Sequence, residues 1–89
     1  MMLMEDECRA AGVDPKAVAA IARRIERAAK DANRLGLKIF GGSGSGDIRT
    51  SANSISDRPL ILAQMEGPWD GGDGGASTDG DGLLRGEGA

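Results

Sequence analysis

The chain changes character near residue 36. Asp14 to Leu35 carries apolar residues at helical spacing, whereas the 49 residues from Gly41 onward hold 13 of the 15 glycines. A long amphipathic helix must bury its apolar stripe against something, and a glycine-rich stretch supplies only short strands and loops. An α+β arrangement follows. The charge divides at the same place: residues 1–40 carry eight Lys/Arg against six Asp/Glu, and residues 41–89 carry three against eight. A basic rod joined to an acidic, loop-rich surface is a chain organised for contact.

Within the first half, Val18, Ile21, Ile25, Ala28, Ala32 and Leu35 recur at alternating spacings of three and four, which is one side of a helix. Asp14 is the N-cap and Pro15 the first helical residue, where a missing N–H costs nothing. Gly36 is the stop, and Glu26–Lys30 and Arg27–Asp31 support the flanks. The predicted helix over 14–35 is about 33 Å long. Its stripe serves either as a core face for downstream strands or as a seam between two copies. A shorter helix within Met1–Ala11 ends at Gly12, with Met1, Met4, Cys8 and Ala11 on one face.

The second half predicts strands near 37–41, 47–50 and 59–65, in meander order because consecutive strands usually neighbour one another. The joining loops are 41–46 and 51–57. The tract over 70–82 alternates Asp with Gly and lacks the apolar content to order itself, while Leu83-Leu84 offers a last apolar pair to dock on the sheet. The expected architecture is a single small domain over 1–89: a helix at about 14–35 packed on an antiparallel sheet of about three strands.

Composition removes whole classes of chemistry. The chain has no histidine and one cysteine, Cys8, so Ser–His and Cys–His nucleophile pairs and a structural zinc site are excluded. Phe40 and Trp69 are the only aromatic residues. A chain of 89 residues buries only roughly 60–65% of its unfolded surface, so a partner or a second copy would add stability that the monomer lacks. The opening segment turns acidic at Glu5-Asp6-Glu7, where a secretory leader is basic, and no apolar run approaches a membrane span. A non-enzymatic cytoplasmic protein without cofactor, metal or membrane contact is the expectation.

Three segments invite a functional reading. Gly41 to Gly46 follows a strand, as phosphate loops do, but Asp47 stands where a Walker loop needs Lys, and no G-x-G-x-x-G is present. What survives is an anion or nucleotide site on Ser43, Gly44, Ser45 and Arg49, where free backbone N–H groups would cradle the ligand. Asp70, Asp73, Asp79 and Asp81 are hard oxygen donors, yet counting an EF-hand from Asp79 puts Leu83 at a ligand position and Leu84 where Gly is required. With Trp69 at its mouth, this tract is the expected contact surface for a protein partner.

The third segment runs from Cys8 to Ile21. Cys8, Gly12, Val18 and Ile21 occupy the small, turn and buried positions of a helix-turn-helix, and Ala10 to Val18 resembles the turn of bacterial repressors such as the lactose-repressor family. That resemblance covers about 20 residues and implies a second helix in the DNA groove, with Lys16, Ala19, Ala20 and Arg23 facing it and Arg27 contributing to binding. The second helix runs longer than the pattern, and alanines carry no hydrogen bonds to bases.

Taken whole, the chain resembles in type the small acidic accessory proteins of bacteriophages and prophages, including anti-CRISPR proteins. That likeness implies an inhibitor that presents acidic surface to a host protein or nucleoprotein complex. The leading expectation is such a binding protein. The alternatives are a helix-turn-helix DNA-binding regulator and a binder of a small anionic ligand.

Overall fold

A computed structural model describes residues 1–51, 58–71 and 74–86. They form α1 (Glu5–Ala11), α2 (Pro15–Arg34), β1 (Leu37–Gly41), β2 (Gly46–Thr50), β3 (Ile61–Met65), β4 (Ala76–Thr78) and β5 (Leu84–Gly86). The α+β class, the long helix and a three-stranded antiparallel sheet in the order β1-β2-β3 are as expected. The chain divides into two compact units, one of Met1–Glu26 with Gly72–Ala89 and the other of Arg27–Gly71.

In the first unit, α1 places Glu5, Asp6 and Glu7 in its first turn, where carboxylates oppose the positive end of the helix dipole. It ends at Gly12 with φ 72°. There the Val13 amide donates to the Cys8 carbonyl at 2.9 Å and the Gly12 amide to Arg9 at 3.1 Å. This is a Schellman stop, and it needs a residue free to adopt a left-handed backbone. Asp14 then caps α2, its Oδ1 accepting the Lys16 amide at 3.0 Å.

The buried side of α2 in this unit differs from the expected stripe. Ala19 is buried and Pro15, Val18 and Ala22 are half-buried, while Ile21 and Ile25 remain 50% and 54% exposed. The reason is local. Met1 to Met4 and α1 lie along the Val18–Ala22 side and enclose an apolar cleft of about 350 Å³ lined by Met1, Leu3, Met4, Cys8, Val18 and Ala22. Burial therefore sits one step around the helix from the seam read in the sequence.

The tract expected to lack structure contains a hairpin. β4 and β5 pair antiparallel, Thr78 opposite Leu84 and Ser77 opposite Arg85. The turn is Asp79-Gly80-Asp81-Gly82: the Gly82 amide donates to the Asp79 carbonyl at 2.9 Å and the Asp79 amide to Leu83 at 3.0 Å, with Gly82 at φ 82°. That is a turn closed by a left-handed glycine, a common three-residue hairpin connection. Glu7 fastens this hairpin to α1, its Oε2 accepting the Leu84 amide at 2.7 Å. Leu84 thus begins a strand of its own.

In the second unit, Gly36 at φ 70° ends α2 and turns the chain into β1. Ile39 faces Ile48 across the first pair, and Ala63 faces Ile48 across the second. A register shift between Ile48 and Arg49 leaves Leu62 as the extra residue of β3, a bulge that bends the strand. Thr50 secures the start of β3: its amide donates to the Leu60 carbonyl at 3.0 Å, and its Oγ1 accepts the Leu60 amide at 2.9 Å. Apolar cover is thin. Phe40, Ile61 and Leu62 are about half exposed, and Leu35 and Leu60 more so. No side chain among the described residues is wholly enclosed.

Candidate functional site

The tip of the β1–β2 hairpin is organised by Trp69. Its indole lies over Gly46, where an added Cβ would meet Cε2 at 2.5 Å, and against Gly41, where it would meet Cε3 at 3.6 Å. These two glycines face each other in the ladder, so one ring covers both ends of the loop. Covering glycine with an aromatic ring restores the apolar contact that the missing side chains cannot make. The Gly44 amide donates to the Trp69 carbonyl at 2.9 Å, and the Gly42 amide to the Ser45 carbonyl at 2.7 Å. Trp69 Nε1 is buried without a hydrogen-bond partner. Expected as a contact residue, Trp69 is half-buried and packs inward.

The same loop was expected to hold an anion on Ser43, Gly44, Ser45 and Arg49. Two of its amides, those of Gly42 and Gly44, already serve the internal bonds just described. Arg49 is engaged as well: its Nη2 lies 2.7 Å and its Nε 3.2 Å from Asp47 Oδ2, and its guanidinium sits 4.2 Å from the Phe40 ring centroid. Asp47 is 7% exposed, and strand alternation places it beside Arg49 with Phe40 directly opposite. The sequence places Asp47 where a Walker loop needs Lys and at the start of the strand expected over 47–50. Its i,i+2 spacing from Arg49 on a strand was the signal that the two would pair.

The acidic candidates divide. Asp79 Oδ2 accepts from Arg85 Nη1 at 3.0 Å, and Asp81 takes both guanidinium nitrogens at 2.9 and 2.7 Å. Arg85, and the Leu83 amide on Asp81 Oδ1 after it, hold the Asp81 carboxyl down at about 2. Asp70 is exposed, and Asp73 lies outside the described residues. Among the described residues, no group of three or more acidic or cysteine side chains is arranged to hold a metal, and no helix is long and apolar enough to cross a membrane.

Of the DNA-reading candidates, Lys16, Arg23 and Arg27 are exposed on α2. Ala19, expected to face the groove beside them, is 6% exposed. Gly12 ends α1, and Cys8 is the buried residue of that helix.

No protein-family model, curated protein or solved structure matches the chain. Functional reading therefore rests on the chain's own surfaces.

One such surface went unnoticed in the sequence. β3 is an outer strand of the sheet, and Ile61 to Gln64 is exposed throughout. It carries no charge, and Leu60, Ile61 and Leu62 stand 68%, 51% and 53% exposed. Sheet edges are normally blunted by a charge, often Lys, against strand addition. β1, the opposite edge, has Lys38; β3 has nothing of the kind. A shallow cleft of about 400 Å³ lies along Ile61, Leu62, Ala63 and Gln64.

Proposed function

We propose that this chain is a non-enzymatic binding protein whose open β3 edge accepts an extended strand from a protein partner. The observation that carries the reading is the uncharged, exposed Leu60–Gln64 segment on a strand with no described neighbour on its far side. Strand addition takes affinity from backbone hydrogen bonds and selectivity from alternate side chains, and it would cover apolar surface that the isolated chain leaves in water. The internal bonds of Trp69, Asp79 and Asp81 favour a contact through β3 over one through the acidic tract. A phage-type inhibitor of a host complex is one biological setting for such a contact, and the absence of histidine fits a protein that works by occupying a partner.

The test is retention of a stoichiometric partner from host lysate by the full chain and by Leu62→Lys, followed by amide exchange in the complex. The reading expects slowed exchange over Ile61–Met65 and loss of the partner in the variant, with circular dichroism unchanged. An identical partner set captured by Leu62→Lys, or a complex that leaves exchange over β3 untouched, overturns it. Pairing of β3 only with a second copy, seen as a concentration-dependent dimer, also overturns it.

A further inference from the structure

Lys16, Arg23, Arg27, Lys30 and Arg34 share one side of α2. At 3.6 residues per turn they fall within about 30° of a single line running about 27 Å along the helix. All five are exposed. The acids that would answer them are mostly held elsewhere: Glu5 and Asp6 by Arg9, Asp47 by Arg49, Asp79 and Asp81 by Arg85. Asp31 reaches Arg34 at 2.7 Å, and Glu26 reaches the Met1 amino group at 2.8 Å. The side chains of Lys16, Arg23, Arg27 and Lys30 pair with no acid among the described residues.

A row of cations, four of its five without an acid partner among the described residues, is a solvated helix face until a polyanion approaches, and its placement decides which polyanion fits. A helix lying in a lipid interface buries its apolar side while its cations reach headgroups alongside. Here the row lies about 180° around the helix from Ile25, so a flat anionic membrane would meet one face and miss the other. A duplex requires only phosphate contacts along a line. The B-form major groove admits a helix, whereas the A-form groove of RNA is too narrow and deep. Ala20 flanks the row, which contains no Asn or Gln to read a base edge.

We infer that the Lys16–Arg34 row of α2 docks on the phosphate backbone of duplex DNA without reading its sequence. The contact uses α2 alone and is independent of the β3 edge. The net charge of −3 does not forbid it, because it is a sum over the whole chain, and exposed charges more than about 10 Å from a phosphate are largely screened at ordinary salt. The row, unlike the chain, is cationic.

The full chain is titrated into a fluorescent duplex of about 20 base pairs, and anisotropy is followed over a range of salt. Four phosphate contacts predict a log–log salt slope of about −3.6, an affinity loss of about 150-fold between roughly 50 and 200 mM. Arg23→Ala and Arg27→Ala should each reduce the slope by about 0.9, while Lys38→Ala, off the row, leaves it unchanged. A duplex of shuffled sequence should bind equally. Absence of binding at low salt, a slope indifferent to both arginine variants, or tighter binding to an RNA duplex overturns the inference. So does binding to phosphatidylserine vesicles without binding to the duplex. Circular dichroism of each variant separates a lost contact from a lost helix.

Discussion

Gly46 and Trp69 occupy each other's space: the indole fills the volume into which any side chain at Gly46 would project, with Cδ2 at 2.7 Å and Nε1 at 2.9 Å from the position of a Cβ. Gly46→Ala must therefore displace the ring. A cost of about 1–3 kcal/mol is expected, the usual range for overpacking, together with a red-shifted emission from the only tryptophan. In a Trp69→Ala background the same substitution should cost much less, because the two sites share one space. Equal costs in both backgrounds, read from urea unfolding, would contradict the packing.

Asp47 is buried beside a guanidinium that has no other described acid. Asp47→Ala strands that charge at a part-buried position, whereas Asp47→Asn keeps a hydrogen-bond acceptor. The alanine variant should lose about 1–3 kcal/mol and the asparagine variant less. Chemical denaturation of the two variants measures the difference, and equal losses would argue that shape alone matters there.

The Asp79-Gly80-Asp81-Gly82 turn should report on pH through Asp81. Its carboxyl is held at about 2 against an ordinary 3.8, so the folded state favours the ionised form. The contribution is therefore present above the unfolded value and is lost as pH falls from about 4 toward 2. Arg85→Ala should return the Asp81 midpoint toward 3.8. The Leu83 amide shift, followed by NMR across that range, reads both. An unmoved midpoint in the variant would contradict the role of Arg85.

Capping gives a fourth expectation. Asp14→Ala removes the acceptor for the Lys16 amide and should cost about 1 kcal/mol, with Asp14→Ser costing less than half of that. Thermal unfolding followed at the helical dichroism band decides it.

Much of this fold is legible in the residues because the signals are local. Asp14-Pro15 and the αL glycines Gly12 and Gly36 bracket the helices, since N-caps and left-handed stops depend on one or two residues each. The three strands of the sheet lie within two residues of their expected bounds. The hairpin over 76–86 is hidden by composition: a glycine-rich acidic tract reads as unstructured until Asp79 and Gly82 are recognised as the first and last positions of a turn. The buried face of α2 is as expected at Ala32, which is 8% exposed, but its first half is illegible for a different reason. Periodicity marks an apolar side, but the choice of Ala19 and Ala22 over Ile21 and Ile25 depends on where the Met1–Met4 segment lies. Non-local too are the indole over Gly46 and the open edge of β3, which follow from chain pairing and not from spacing.

The lack of any wholly enclosed side chain among the described residues bears on how this molecule responds to temperature. Unfolding releases less apolar surface than it does from a tightly packed chain of this length, so the heat-capacity increment should fall below the roughly 12–15 cal/mol/K per residue of ordinary domains. A small increment flattens the free-energy curve, so stability should change little over a wide span of temperature. Such a chain is easily tipped by whatever binds it, at cold and warm temperatures alike.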